Sequence, residues 1–299
     1  ITDSGNLAVT GNAAFTVPDT FSITLDRAGN NFGGTLTFNA SSGTIANVTV
    51  VDTTGVDLQA LTLSGNLSVT AGGAVTDSGA LVISGTTTVA AGSGNDITLD
   101  TATNNFLAVG ITSGNNVTLV DTNGIDVAAS TISGTLNVTA GGPVTDSGAL
   151  VVTGTTTVAA GSGNDITLNT ATNNFSAIGI TSGNNVTLVD TNGIDLAAST
   201  ISGTLNVTAG GSVTDSGALV VTGTTTIAAG SGNDITLNTA TNNFSTIGIT
   251  SGNNVTLVDT NAIDLAASTI SGTLSVTAGG SITDSGNLAV TGNAAFTVP

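Results

Sequence analysis

The sequence predicts an all-β protein built as a parallel β-helix, a β-solenoid with about three rungs in every 69-residue repeat. Three observations predict it. Apolar and polar residues alternate with a period of two, small turn-forming residues cut the alternating segments short, and the whole pattern returns at a fixed long interval.

The alternation comes first. Asp165-Ile166-Thr167-Leu168, Ile194-Asp195-Leu196 and Leu205-Asn206-Val207-Thr208-Ala209 each place apolar side chains at every second position. In an extended chain that spacing puts Ile166, Leu168, Ile194, Leu196, Leu205 and Val207 on the inward side. Thr and Val, which dominate these segments, suit a pleated, half-buried surface. Helical signals are missing, because no Glu/Lys pairs stand four residues apart and no stretch carries a 3.6-residue period.

The turns come next. Ser182-Gly183-Asn184-Asn185, Thr191-Asn192-Gly193 and Gly210-Gly211-Ser212 separate the strands. Gly and Asn tolerate positive φ, and Asn, Asp and Ser side chains close turns by bonding to nearby backbone. Hairpins would use the same turns, so it is the repeat that decides the fold. Thr-Asp-Ser-Gly begins at Thr2, Thr76, Thr145, Thr214 and Thr283. Units 145–213 and 214–282 differ at five positions, including Val158 against Ile227 and Val213 against Ile282, and units 76–144 and 145–213 differ at seven. Unit 2–75 is divergent and five residues longer, yet keeps Asn30-Asn31-Phe32 where its neighbour has Asn104-Asn105-Phe106. A unit that cannot enclose its own apolar face gains a continuous core by stacking on its neighbours.

The sequence places residues 1–299 in one continuous solenoid segment. Residues 1–18 recur unchanged as 282–299, so the pattern predicts a piece of a longer array, with the next copy starting at 283. Each 69-residue unit subdivides into three 20-residue blocks, such as 163–182, 183–202 and 203–222, and a nine-residue block, 223–231. Folding the short block into the longest rung gives rungs of about 23 residues, and so about 13 rungs in the chain. Exchanges such as Val127 for Leu196 and Val109 for Ile178 keep the presumed core volume nearly constant. Phe106, Phe175 and Phe244 recur once per unit and are expected to fill the widest corner of the core.

Composition excludes several classes. The chain has 19 acids, all Asp, against one base, Arg27, for a net charge of −18, and it lacks Cys, Met, His, Trp and Tyr. That charge opposes nucleic acid and anionic membranes. No apolar run reaches the ~18 residues of a membrane-spanning helix. Hydrophobic content of 39% and a mean hydropathy of +0.41 argue against disorder. Without Cys, no disulfide contributes to the fold.

NVTLVDTNGIDLAASTISGTLNVTAGGSVTDSGAL (185–219) resembles the shaft repeats of filamentous-haemagglutinin-type exoproteins and related giant repetitive bacterial adhesins. The likeness extends over essentially the whole chain and rests on composition and rung pattern. It implies a right-handed β-helix exported across the outer membrane by a dedicated partner, as in two-partner secretion, and placed at the cell surface or outside the cell. It implies a structural shaft that holds adhesive regions away from the cell. The expected partners are further copies of the array, joined laterally or head to tail, and other cell surfaces or glycans.

The candidate chemistry is acidic. Rungs stacked in this register bring Asp100, Asp121 and Asp146 to one corner, and Asn169, Asp190 and Asp215 to the matching corner of the next unit. Carboxylates stacked ~5 Å apart repel one another unless screened or bridged, and Ca²⁺ favours clustered oxygen ligands, so these Asp residues are calcium candidates. The bland alternative is that they cap turns by bonding to backbone. Catalysis is not expected, because general acid–base and nucleophilic work draws on His, Cys, Lys, Tyr or tuned carboxylate pairs, and only Asp, Ser and Thr are present. The repeated Thr triplet (Thr155-Thr156-Thr157) raises ice binding, and the β-helix raises polysaccharide-directed activity, as remote alternatives.

Overall fold

The computed structural model describes residues 1–299. The chain is all-β, without a helix, and forms a parallel β-solenoid of about 14 turns, with about three turns per repeat. It divides into two compact units, Ile1–Gly154 and Thr155–Pro299, each built in the same way.

In the second unit, strands stack in two parallel columns. In one, Ile166 pairs with Val186, Val186 with Leu205, and Leu205 with Thr225. In the other, Ile194 pairs with Val213, Val213 with Ile235, Ile235 with Val255, and Val255 with Leu274. These pairs are 19 to 22 apart in sequence, and other pairs of the unit range from 18, Ala177 with Asp195, to 23, Val220 with Asn243. The first unit repeats the arrangement, with Val75, Ile97, Val117 and Leu136 in one column and Val48, Leu67 and Thr87 in the other.

These separations show what the nine-residue block does. Three turns carry the chain from Ile166 to Thr225, and ten residues later Ile235 lies on the other sheet, paired with Val213. Ile235 is the repeat equivalent of Ile166. The short block thus supplies a half turn rather than lengthening a rung, and the turns of these columns are shorter than the 23 residues expected. The longer first repeat obeys the same phase. Thr2 pairs with Thr24, Thr24 with Thr49 and Thr49 with Ser68, after which Thr76 falls on the opposite sheet beside Asp57. Its extra residues are taken up in wider turns.

The core is the inner column of alternate residues. Ile166, Leu168, Ile194, Leu196, Leu205 and Val207 are all buried, as the alternation predicted. Phe106, Phe175 and Phe244 are among the most completely enclosed side chains of the molecule. In the first repeat a small aromatic cluster takes their place, with Phe15 edge-on to Phe32 at 6.0 Å and stacked on Phe38 at 6.1 Å.

Glycine is required where turns pass closest. A Cβ on Gly223 would lie 2.5 Å from the carbonyl oxygen of Gly203 in the preceding turn. Gly230 has φ of +85°, a left-handed conformation that a side chain disfavours. The corner sequences Thr222-Gly223-Thr224 and Ala229-Gly230-Ser231 are therefore steric requirements of the stack.

One inward position breaks the apolar rule. Thr87, Thr156 and Thr225 point into the core, fully buried, and their hydroxyls have no hydrogen-bond partner. An unpaired buried hydroxyl costs about 1–3 kcal/mol. Thr225→Val keeps the side-chain shape and removes that hydroxyl. It is expected to raise the unfolding free energy by about 1 kcal/mol in a guanidinium titration; a lowered midpoint would show that the hydroxyl is satisfied.

Candidate functional site

The polar residues gather at the corners, where each turn is joined to the next. Two motifs that the sequence separates, Thr-Asp-Ser-Gly and Asn-Asn-Phe, meet there. In the second unit, Asp215 accepts the backbone N–H of Asn238 at 2.9 Å and the Asn242 side-chain amide at 2.6 Å. The Asn242 side-chain oxygen accepts the Leu219 N–H at 2.8 Å. Asn242 is completely buried, and both ends of its side chain are used. From the following turn, Asp259 Oδ2 accepts the Phe244 N–H at 2.6 Å, while its Oδ1 accepts the Asn261 N–H at 2.8 Å. Three successive turns are clasped through Asp215, Asn242 and Asp259.

The first unit carries the same clasp twice. Asp77 binds Asn104, Asn104 binds the Leu81 N–H, and Asp121 binds the Phe106 N–H. In the divergent repeat Asp3, Asn30 and Asp52 take these roles. The buried first Asn of each Asn-Asn-Phe is not among the candidates that the sequence offers. A signal existed: Asp3 to Asn30, Asp77 to Asn104 and Asp215 to Asn242 are each 27 residues apart.

Two further ladders use other acids. Asp96 Oδ1 accepts the backbone N–H of Asn116 and the side-chain amides of Asn115 and Asn116, each at 3.0 Å. Asp165 and Asp234 do the same in their repeats. Asp57, Asp126, Asp195 and Asp264 accept the Thr and Ser hydroxyls of Thr-Asp-Ser in the next turn, as Asp57 does from Thr76 and Ser78. A short carboxylate reaches the backbone of the adjacent turn.

The register places the calcium candidates differently from the alignment made on sequence. Asp121 lies opposite Ala140 and Asp146 opposite Val127, while Asp190 lies opposite Ala209 and Asp215 opposite Leu196. Asp100 presents its backbone N–H to the Asp77 carboxylate. Asp121 and Asp190 are buried with both oxygens accepting N–H groups. No three carboxylates gather where they could hold one ion. The Asp121 and Asp190 carboxylates bind backbone N–H groups of their own and neighbouring turns.

These environments set the acid response. Burial raises the Asp121, Asp190 and Asp259 carboxyls above the usual range, against the opposing N–H bonds from Phe106, Phe175 and Phe244. The backbone N–H of the next turn's Asn holds Asp96, Asp165 and Asp234 below it. The two groups act oppositely. A raised group favours the protonated fold, so its contribution grows as pH falls from neutrality towards the ordinary Asp value of about 3.9. A lowered group contributes above that value and loses its contribution as pH falls further. Thermal unfolding followed by circular dichroism is therefore expected to show rising stability from pH 7 into the mildly acidic range and falling stability below it. A steady decline beginning at pH 7 would contradict the buried assignment.

Repeats of unknown function (DUF5649) match residues 1–39, 45–113, 114–182, 183–251 and 252–298. Three of these segments open at Gly114, Gly183 and Gly252, which form isolated bridges to Ile132, Ile201 and Ile270 one turn later. No curated protein and no solved structure matches the chain.

Proposed function

This chain belongs to the DUF5649 repeat family, and from that premise we propose that it is the structural shaft of a secreted or cell-surface repetitive adhesin or fibre. One observation carries the reading: the clasp of Asp, buried Asn and Asp is rebuilt in repeat after repeat and joins each turn only to its neighbours. Such a scaffold lengthens by adding copies, because its stability is a sum of local and nearest-neighbour terms. Most of the acids bond to backbone, amide and hydroxyl groups of adjacent turns, which supports a mechanical rather than a catalytic role. The filamentous-haemagglutinin-type resemblance of 185–219 supports an extracellular position, and the net charge of −18 supports solubility there.

Antibodies to the purified repeats test the placement. Unpermeabilised producing cells, or their culture medium, are expected to carry the signal; a signal confined to the cell interior would overturn the reading. Negative-stain micrographs of the purified chain test the shaft itself. Thin particles that lengthen with repeat number are expected, and side-by-side bundles would favour a fibre or sheath subunit that associates laterally.

A further inference from the structure

We infer that successive repeats display the same outward side chains on opposite faces of the solenoid, so that repeat number sets the face presented. The inference goes beyond the shaft reading and rests on strand register alone. A repeat of three turns would return each residue to the face of its predecessor. Here the remainder is half a turn, and it is observed within each unit. Thr167 faces outward on the column of Thr187, Asn206 and Thr226, whereas its repeat equivalent Thr236 stands on the other sheet between Thr214 and Thr256. Likewise Thr76 lies on the column of Thr98, Thr118 and Asn137, while its equivalent Thr145 lies on the other sheet beside Asp126.

The swap costs nothing because the two sheets are built from the same segments. The Ile-Thr-Leu strand occupies one sheet at Ile166–Leu168 and the other at Ile235–Leu237. In both places it is followed in its column by a Val-Thr-Leu strand, at Val186–Asp190 and Val255–Asp259. Inward residues are buried to the same degree in both. The core and clasp geometry therefore do not distinguish the faces. Gaining or losing one repeat leaves folding intact and turns everything beyond it by half a revolution; gaining or losing two restores it. A partner that recognises the outward surface of one repeat meets alternate repeats from opposite sides, which allows one chain to bridge two partners.

The chain has no cysteine, so paired labels can be introduced cleanly. Nitroxides on Thr167→Cys and Thr226→Cys report three turns on one face, a separation of about 14 Å at the inter-strand spacing of ~4.8 Å. Nitroxides on Thr167→Cys and Thr236→Cys report one repeat. Their separation is expected to be about twice as large, because the sheets pack about 10 Å apart and each label projects outward. A second pair, Asn206→Cys with Ser275→Cys, asks the same question at another register should the first fail to fold. A one-repeat distance within one strand spacing of the three-turn distance would overturn the inference. A variant lacking residues 163–231 tests the interchange: it is expected to retain the parent's β-type circular dichroism and cooperative melt, and aggregation or loss of that signal would overturn the claim that either sheet accepts any repeat.

Discussion

Replacing Phe244 with alanine is expected to lower the unfolding free energy by about 3–5 kcal/mol. Phe244 has no solvent exposure and pairs with Val221 in the preceding turn. It stands in a core filled mostly by Val, Ile, Leu and Ala. Its removal leaves a cavity that the stack cannot close, because the turns above and below are set at the strand spacing and pinned by hydrogen bonds on both sides. The Phe244 N–H is held by Asp259, so the backbone cannot move inward to fill the gap without breaking that bond. Phe244→Leu retains most of the volume and is expected to cost less than half as much. Guanidinium unfolding of the two variants beside the parent checks the ranking. A loss below about 1 kcal/mol for the alanine variant would mean that the corner collapses freely and is not a rigid part of the core.

The second large effect is expected at Asn242. Alanine there leaves the fully buried Leu219 N–H without an acceptor and takes from Asp215 its shortest hydrogen bond. An unpaired buried donor costs about 1–3 kcal/mol, and a bond to a charged group contributes about 1.5–3, so a combined loss of about 3 kcal/mol is expected. Asn242→Asp should be worse, since it sets a second carboxylate against Asp215 where an amide had donated. Asn206→Ala is the matched control, because Asn206 faces outward on its strand and its loss should stay within about 0.5 kcal/mol. Chemical denaturation of the three variants decides the matter. Equal, mild effects for Asn242→Ala and Asn206→Ala would show that the buried amide does not clasp the turns.

Much of this architecture was legible in the residues. Ile166, Leu168, Leu205 and Val207 were predicted inward from alternation alone and are buried. Phe106, Phe175 and Phe244 were expected in the core and lie there. The corner acids were less legible. Asp121 and Asp146 look like successive members of one ladder in the sequence, yet they face Ala140 and Val127. A carboxylate's partner depends on which residue of the next turn stands opposite, and the turns differ in length, so an error of one residue changes the partner entirely. The buried Asn of Asn-Asn-Phe was hidden for a related reason: polar residues beside a turn are usually solvated, and only a partner 27 residues away makes burial favourable here.

By itself the sequence determined that this protein is a stack of short parallel strands, because the period-two alternation and the strict repeat act locally and leave each unit with an apolar face it cannot cover alone. Only the tertiary structure decided the phase of the stack and the identity of the clasps. Both depend on how many residues each corner consumes before the chain returns to the column above, a length set by contacts between neighbouring turns rather than by any one segment. The nine-residue block of each repeat looks like surplus until those contacts exist; once they do, it is the half turn that sends every repeat to the opposite face.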